Sequence, residues 1–255
     1  MVALSLTAPI ATLTLNRPEK LNALTMEMLH ELEAHVAALE EAKDVRVVLL
    51  TAAGDRAFCV GADIHAWAAL GPQDMWRTWI RVGHRIFDRL AALRMPVIAV
   101  INGYTFGGGL ELALAADIRL AAEEAAFALP EVGLGTVPGW AGTQRLPAVV
   151  GAGRAKQMIF AGERISAAKA EAWGLVNEVH PREKLPARAQ ELAEAIAKKA
   201  PLAVQMTKQL VDGGLGKGAG VVLESLASGL AASSEDAAEG LAAFREKREP
   251  RFRGV

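Results

Sequence analysis

The sequence predicts an α/β core of about 190 residues followed by a helical tail. Three observations lead there. Residues 45–51, interrupted only by Arg46 before its closing Thr51, and 97–101 are apolar runs of the buried, parallel-strand type. Helical segments lie between such runs, the order expected of right-handed βαβ crossovers around a parallel sheet. Beyond Gly139 the texture turns almost wholly helical.

Residues 2–6 and 10–15 alternate like the arms of a hairpin about the turn Thr7-Ala8-Pro9, and Asn16-Arg17-Pro18 breaks the second arm. Thr25 caps a helix reaching about Lys43, with Met28, Leu29, Leu32, Val36 and Leu39 on one face. After the strand 45–51, a Gly- and Ala-rich loop through Asp63 leads to an amphipathic helix with Trp67, Trp76 and Trp79 nearby. Pro96 opens the strand 97–101, Gly107-Gly108-Gly109 begin a helix through Ala115, and 118–121 return to strand. Helices follow at about 140–149, 151–160, 167–173 (Ser166 as cap, Gly174 as stop), 187–199, 202–212, 220–232 and 234–247, interrupted by a strand at 175–179. Val222, Leu226, Leu230, Leu241 and Phe244 give the tail an apolar face that either its own core or a neighbouring subunit would cover. The expected division is a core of 1–190 and a C-terminal region of 191–255.

Composition narrows the function classes. The 255 residues are 52% hydrophobic and 22% charged, with 28 Lys+Arg against 29 Asp+Glu, so no broad field is available to hold a nucleic acid. The single cysteine, Cys59, excludes an internal disulfide framework and a cysteine-cluster metal site, and fits a reducing compartment. The longest uncharged run, 95–110, contains Pro96 and several glycines and falls short of the ~20 apolar residues a membrane helix needs. The N-terminus reads as a first strand rather than a leader, so a cytoplasmic protein is expected. No G-x-S-x-G elbow, H-E-x-x-H or paired Cys/His spacing is present, and no metal is expected. The glycine-rich stretch 213–218 lacks a complete phosphate-binding pattern and is expected to be a flexible turn between helices.

Three segments carry chemistry. Residues 102–111, Asn-Gly-Tyr-Thr-Phe-Gly-Gly-Gly-Leu-Glu, leave a buried strand and enter a helix through three glycines. Unpaired N–H groups at a helix start, with no Cβ in the way, suit the binding of a developing oxyanion, and Glu111 falls in the first turn beside it. The alternative is that the glycines serve tight packing and Glu111 merely favours the helix dipole. The second segment, 129–139, is an apolar loop punctuated by Gly and Pro with one charge, Glu131. In such surroundings its pKa would rise towards neutrality and it would deliver a proton at pH 7; the other reading is a solvent-facing glutamate at a turn. The third, Phe58-Cys59-Val60-Gly61-Ala62-Asp63-Ile64, either offers a further free N–H or is an ordinary strand-to-helix turn.

Together these segments resemble the crotonase family, the enoyl-CoA hydratases and isomerases. The likeness runs along nearly the whole chain: 18–24 (P-E-K-L-N-A-L), 61–64 (G-A-D-I), 102–111, 130–139, 143–146 (T-Q-R-L), 166–176 and 239–252. It implies a spiral of ββα units with a helical C-terminal region, assembled as trimers or paired trimers, acting on acyl-CoA thioesters. Coenzyme A belongs to the substrate, and no separate cofactor is implied. By match of motif, the N–H groups of Ala62 and Gly108 would hold the thioester oxygen. Hydratases carry acids at the positions of both Glu111 and Glu131, whereas many isomerases keep only the later one, so the resemblance favours a hydratase. Glu111 would orient and activate water and Glu131 would donate the Cα proton, both working as a coupled pair.

The resemblance also implies ligand contacts. Lys20, Leu21 and Ala23 would line the adenine end, and Ala62, Asp63, Ile64 and His65 the pantetheine, with His65 standing where relatives often have lysine. Tyr104, Gly107, Pro130, Thr136, Pro138 and Gly139 complete the expected site, and Phe244 and Lys247 would reach a ligand in a neighbouring subunit. Trp140-Ala141 replaces two small residues common in hydratases, so the indole would trim the acyl pocket. The rival readings are an isomerase or another acyl-CoA reaction on the same fold, and a non-catalytic RNA-binding relative, which the charge balance opposes.

Overall fold

Alternation in the first residues makes a hairpin, and everything later is hung from it. In the computed structural model, which describes residues 1–214 and 217–255, β1 (Val2–Thr7) pairs antiparallel with β2 (Ile10–Leu15). The chain continues through α1 (Met26–Glu41), β3 (Val47–Ala52), β4 (Ala57–Cys59) and α2 (Ile64–Ala68). Then α3 (Pro72–Asp74) runs through a π-helical stretch, Met75–Ile80, into α4 (Arg81–Ala91). Next come β5 (Val97–Ile101), β6 (Tyr104–Phe106), α5 (Gly108–Leu114), β7 (Ile118–Ala122) and β8 (Ala126–Ala128). The remainder is α6 (Gly142–Val150), α7 (Ala152–Ala161), β9 (Ile165–Ser166), α8 (Ala167–Ala172), β10 (Glu178–His180), α9 (Leu185–Ala197), α10 (Pro201–Asp212), α11 (Lys217–Ala232) and α12 (Glu235–Glu246). The turn expected over 213–218 falls partly on Leu215 and Gly216, outside the described residues.

From β3 to β8 the strands leave alternately for two sheets, and β9 then joins the second and β10 the first. One is ordered β1-β2-β3-β5-β7-β10 and the other β4-β6-β8-β9, so each turn of the chain gives a long strand to the first and a short one to the second before a helix returns. That is the expected spiral of ββα units. The long strands β2, β3, β5 and β7 and the short β10 run parallel, and apolar side chains cover both faces. Leu13, Leu15, Val48, Leu50, Val97 and Ala99 face the main core with the inward stripe of α1, whose Thr25 Oγ1 accepts from the Met28 N–H at 3.2 Å. Val47, Leu49, Ile98, Val100 and Leu120 face the other way and are covered by α9 through Leu185, Ala189, Ala193 and Ala197.

Besides the short strands of the second sheet, which the sequence pattern did not announce, the structure departs from the expected elements in two places. The strand expected at 175–179 is displaced to β10, because Leu175 and Val176 are buried in a turn where the Leu175 N–H donates to the Ala170 carbonyl. The helix expected from 140 begins at Gly142, because Ala141 takes a left-handed φ of +75°, which a right-handed helix cannot include. α9 spans Leu185–Ala197, across the end of the segment expected as the core, and its buried face packs on the first sheet. Arg46 fastens the C-terminal region to the sheet by donating to the carbonyls of Ala197 at 2.9 Å and Phe252 at 2.7 Å.

Candidate active site

Three short segments meet where the second sheet ends. Gly61 and Gly107 adopt φ of +98° and +51°, values that a side chain resists, and so turn two loops sharply towards each other. A Cβ placed on Gly61 would lie 3.1 Å from the Gly108 nitrogen. The Gly61–Ala62 turn and the start of α5 are therefore in contact. Among the described residues, neither the Ala62 nor the Gly108 N–H has an acceptor.

The three glycines have three separate reasons. Gly107 makes the turn, a Cβ on Gly108 would strike the Trp140 ring at 2.4 Å, and one on Gly109 would sit 2.1 Å from the Cys59 carbonyl oxygen. Tight packing and a bare N–H, the two readings of this motif, coexist at adjacent residues.

Glu111, in the first turn of α5, is buried, and its Oε1 accepts from the N–H groups of Trp140 and Gly142, each at 2.7 Å. Those two donors flank the left-handed Ala141 at the start of α6. Burial raises the Glu111 pKa, and the two N–H groups oppose that rise. Glu131 opens the short helical turn Glu131–Leu134 and is packed so closely that a Cβ on Gly107 would lie 2.9 Å from its Oε1. Its Oε2 is buried with no partner among the described residues. Burial first, and the neighbouring Glu111 carboxylate as well, push Glu131 up to about 7. The two carboxyls thus differ in kind: one is anchored by backbone donors that favour the anion, and the other lacks any donor at Oε2.

Both line an apolar cavity with Ala62, Ile64, Gly107, Gly108, Pro130, Thr136 and Gly139 of the expected site. Lys20, Leu21 and Ala23 lie on a segment that pairs with the Gly61–Asp63 turn, where the Leu24 N–H donates to the Gly61 carbonyl and the Asp63 N–H to that of Leu24, both at 2.8 Å. Asp63 caps α2 by accepting from the His65 N–H at 3.0 Å, and His65 is exposed. Tyr104 stacks on Phe106 at 5.3 Å and Pro138 is buried, but neither lines the cavity. Phe244 and Lys247 stand exposed at the end of α12 and are likewise not in its wall.

Sequence reasoning missed two residues that brace this arrangement. Arg17 Nη1 donates to Asp63 Oδ2 at 2.7 Å and to the Ala23 carbonyl at 3.0 Å, joining the two paired segments and holding the Asp63 carboxyl below its ordinary range. Asn22 is fully buried at φ +56°, donates from Nδ2 to the carbonyls of Ala53 and Ala57, and accepts from the Arg17 N–H at 2.8 Å. An asparagine beside Pro18 in a turn was the available signal, but its partners are remote in sequence. Cys59 lies beneath the site, fully buried, with its thiol pushed up to about 12 by burial. It should therefore resist iodoacetamide at pH 8 in the native protein and react at once in denaturant, as mass spectrometry would show; rapid native labelling would mean that the Gly61 loop opens.

No His, Cys, Asp or Glu cluster that could hold a metal occurs among the described residues, and no described helix is long and apolar enough to cross a membrane. The sequence matches the enoyl-CoA hydratase/isomerase family over residues 6–255. It is 42% identical over 241 residues to a short-chain-enoyl-CoA hydratase of Clostridium acetobutylicum, covering 94% of this chain and 92% of that one. It is 40% identical over 258 residues to the (E)-benzylidenesuccinyl-CoA hydratase of Thauera aromatica, covering 100% and 99%. The crystal structure of an enoyl-CoA hydratase from Bacillus anthracis superposes with a TM-score of 0.96 at 39% identity, covering 100% of this chain and 99% of that one. With the alternating two-sheet spiral, full-length sequence identity and near-complete superposition in agreement, the chain belongs to the enoyl-CoA hydratase/isomerase family.

Proposed function

We propose that the protein adds water across the double bond of a trans-2-enoyl-CoA to give the 3-hydroxyacyl-CoA. The observation that carries this reading is the meeting, in one apolar cavity, of two carboxyls in different environments with two unengaged N–H groups. A thioester oxygen between the N–H groups of Ala62 and Gly108 would be stabilised as it gains charge, typically worth about 10²–10³-fold in rate for each donor. Glu111, held by its Oε1, takes a proton from water as the water oxygen bonds to Cβ and the π electrons move to the thioester oxygen. The enolate then collapses and Cα takes the proton that Glu131 holds near neutral pH. The pair ends with its proton on the other member, and exchange with solvent restores it.

The coenzyme A moiety is assigned to the paired segments carrying Lys20, Leu21, Ala23, Asp63 and His65, and, by the family likeness, to Tyr104 and Pro138. The exposed apolar side chains of Val222, Leu226, Leu230, Leu241 and Phe244 support a homo-oligomer in which Phe244 and Lys247 approach a neighbour's ligand. Fatty-acid breakdown in a reducing, cytoplasmic compartment is the setting that fits this reaction and the single buried cysteine.

The direct test is loss of the conjugated-thioester absorbance on mixing the protein with crotonyl-CoA, beside a 3-enoyl-CoA. Decay of the first supports hydration. A gain of the conjugated band from the second, with no decay of the first, would make the protein an isomerase. Glu111→Gln preserves an oxygen for the Trp140 and Gly142 donors, so it should bind butanoyl-CoA within a few-fold of wild type yet hydrate about 10²-fold more slowly. Unchanged turnover would remove Glu111 from water activation.

A further inference from the structure

One wall of the cavity beside Gly108 and Glu111 is an indole. Trp140 is almost fully buried, lines the cavity, and lies between two glycines on different helices. A Cβ on Gly83 of α4 would fall 2.3 Å from its Nε1, and one on Gly108 of α5 would fall 2.4 Å from its Cζ3. Trp79 packs against the ring at 5.5 Å between centroids and Phe87 meets it edge-on at 5.3 Å. Its Nε1 donates to the Trp79 carbonyl at 3.4 Å, tying the ring to the π-helical stretch that supplies Met75, Trp79 and Ile80 to the same cavity. On the facing side, Gly139 is pressed by Ile80, whose Cδ1 lies 2.4 Å from where a Cβ would be. The indole therefore occupies a slot between α4 and α5 that opens directly behind the Gly108 donor and the Glu111 carboxyl.

We propose that Trp140 sets the acyl-chain limit of this site, restricting it to short 2-enoyl thioesters of about the crotonyl size, and that the slot it fills is latent space for a longer chain. The inference rests on the acyl-CoA reading of the cavity and names the substrate class within it. The physical basis is that a close-packed slot cannot admit further methylenes while the ring stays, and the ring has no room to swing because glycine backbone flanks it on both sides. Removing it leaves an apolar cavity, which stays dry and accepts apolar groups. Each methylene seated there should improve affinity about fourfold, and two about fifteenfold.

The test compares Trp140→Leu and Trp140→Ala with wild type in two ways. Calorimetric titration with the saturated butanoyl-CoA and octanoyl-CoA reads the pocket without requiring catalysis. In wild type, octanoyl-CoA should bind no more tightly than butanoyl-CoA, and in either folded variant the octanoyl preference should rise by about fifteenfold or more. The kcat/KM ratio for 2-octenoyl-CoA over crotonyl-CoA should move in the same direction. Wild type binding octanoyl-CoA tenfold more tightly than butanoyl-CoA, or a folded variant with an unmoved preference, would overturn the proposal. If neither variant folds, the wild-type comparison decides alone. Selective butanoyl-CoA binding without turnover of any 2-enoyl-CoA would leave the chain limit standing and overturn hydration, whereas binding of neither ligand would overturn both.

Discussion

Replacing Glu131 with glutamine should cost about 10³–10⁴-fold in hydration and, above pH 7, make the folded chain more stable. Both effects come from the same carboxyl. It is enclosed, its Oε2 has no donor among the described residues, and burial with the nearby Glu111 pushes its pKa from 4.5 up to about 7. A carboxyl whose pKa rises on folding holds a proton that the unfolded chain has already released. Stability is therefore unaffected below about pH 4.5, falls as pH climbs to about 7, and stays reduced above it. The penalty at pH 8 is about 3 kcal/mol, and glutamine, the same size and uncharged, escapes it. Glu131→Gln should accordingly melt roughly 5 °C higher than wild type at pH 8 and at the same temperature at pH 4.5. Its loss of activity should include loss of deuterium incorporation at Cα from heavy water. For wild type, kcat/KM should decline above about pH 7 as the donor loses its proton. A variant that still incorporates deuterium, or that melts lower at pH 8, would show that Glu131 is neither the proton donor nor strained in its pocket.

How much of this could be read in the sequence depends on the length scale of each interaction. The inward stripe of α1 and the apolar runs of β3 and β5 are local patterns, and the sequence expresses them directly. The second sheet was not legible from pattern, because β4, β6 and β8 are each three residues long and too short to show alternation; the resemblance supplied the spiral instead. Glu111 and Glu131 stood out as single acids in apolar or glycine-rich segments. Their surroundings did not: the donors to Glu111 come from residues 29 and 31 positions away, and the Arg17–Asp63 brace spans 46. The three nearby tryptophans drew attention to 67–79, but the contact that matters joins Trp79 to Trp140, across 61 residues. Contacts of that range are decided by packing, and one sequence records only one side of each.

Gly108→Ala tests that packing and the oxyanion site together. Alanine retains the N–H that glycine has, so a substitution affecting only the chemistry of the donor should do little. Yet its methyl would lie 2.4 Å from Cζ3 and 2.6 Å from Cε3 of Trp140, well inside contact distance. The ring is bounded by Trp79 and Phe87 and by the backbone of Gly83, so it has nowhere to retreat. The start of α5 must shift instead, carrying the Gly108 donor away from the thioester oxygen. The expected loss is about 10²–10³-fold in kcat/KM, with an overpacking cost of about 1–3 kcal/mol in stability. If the indole is the cause, adding Trp140→Leu should relieve it: the double variant should be at least tenfold more active on crotonyl-CoA than the product of the two single losses implies, a coupling of about 1.4 kcal/mol. A fully active Gly108→Ala would show that the methyl is accommodated without moving the Gly108 N–H, and the coupling to the indole would fall. A damaged Gly108→Ala with strictly additive losses would leave the donor in place but free it from the indole, and the ring would then limit the acyl chain without governing the oxyanion site.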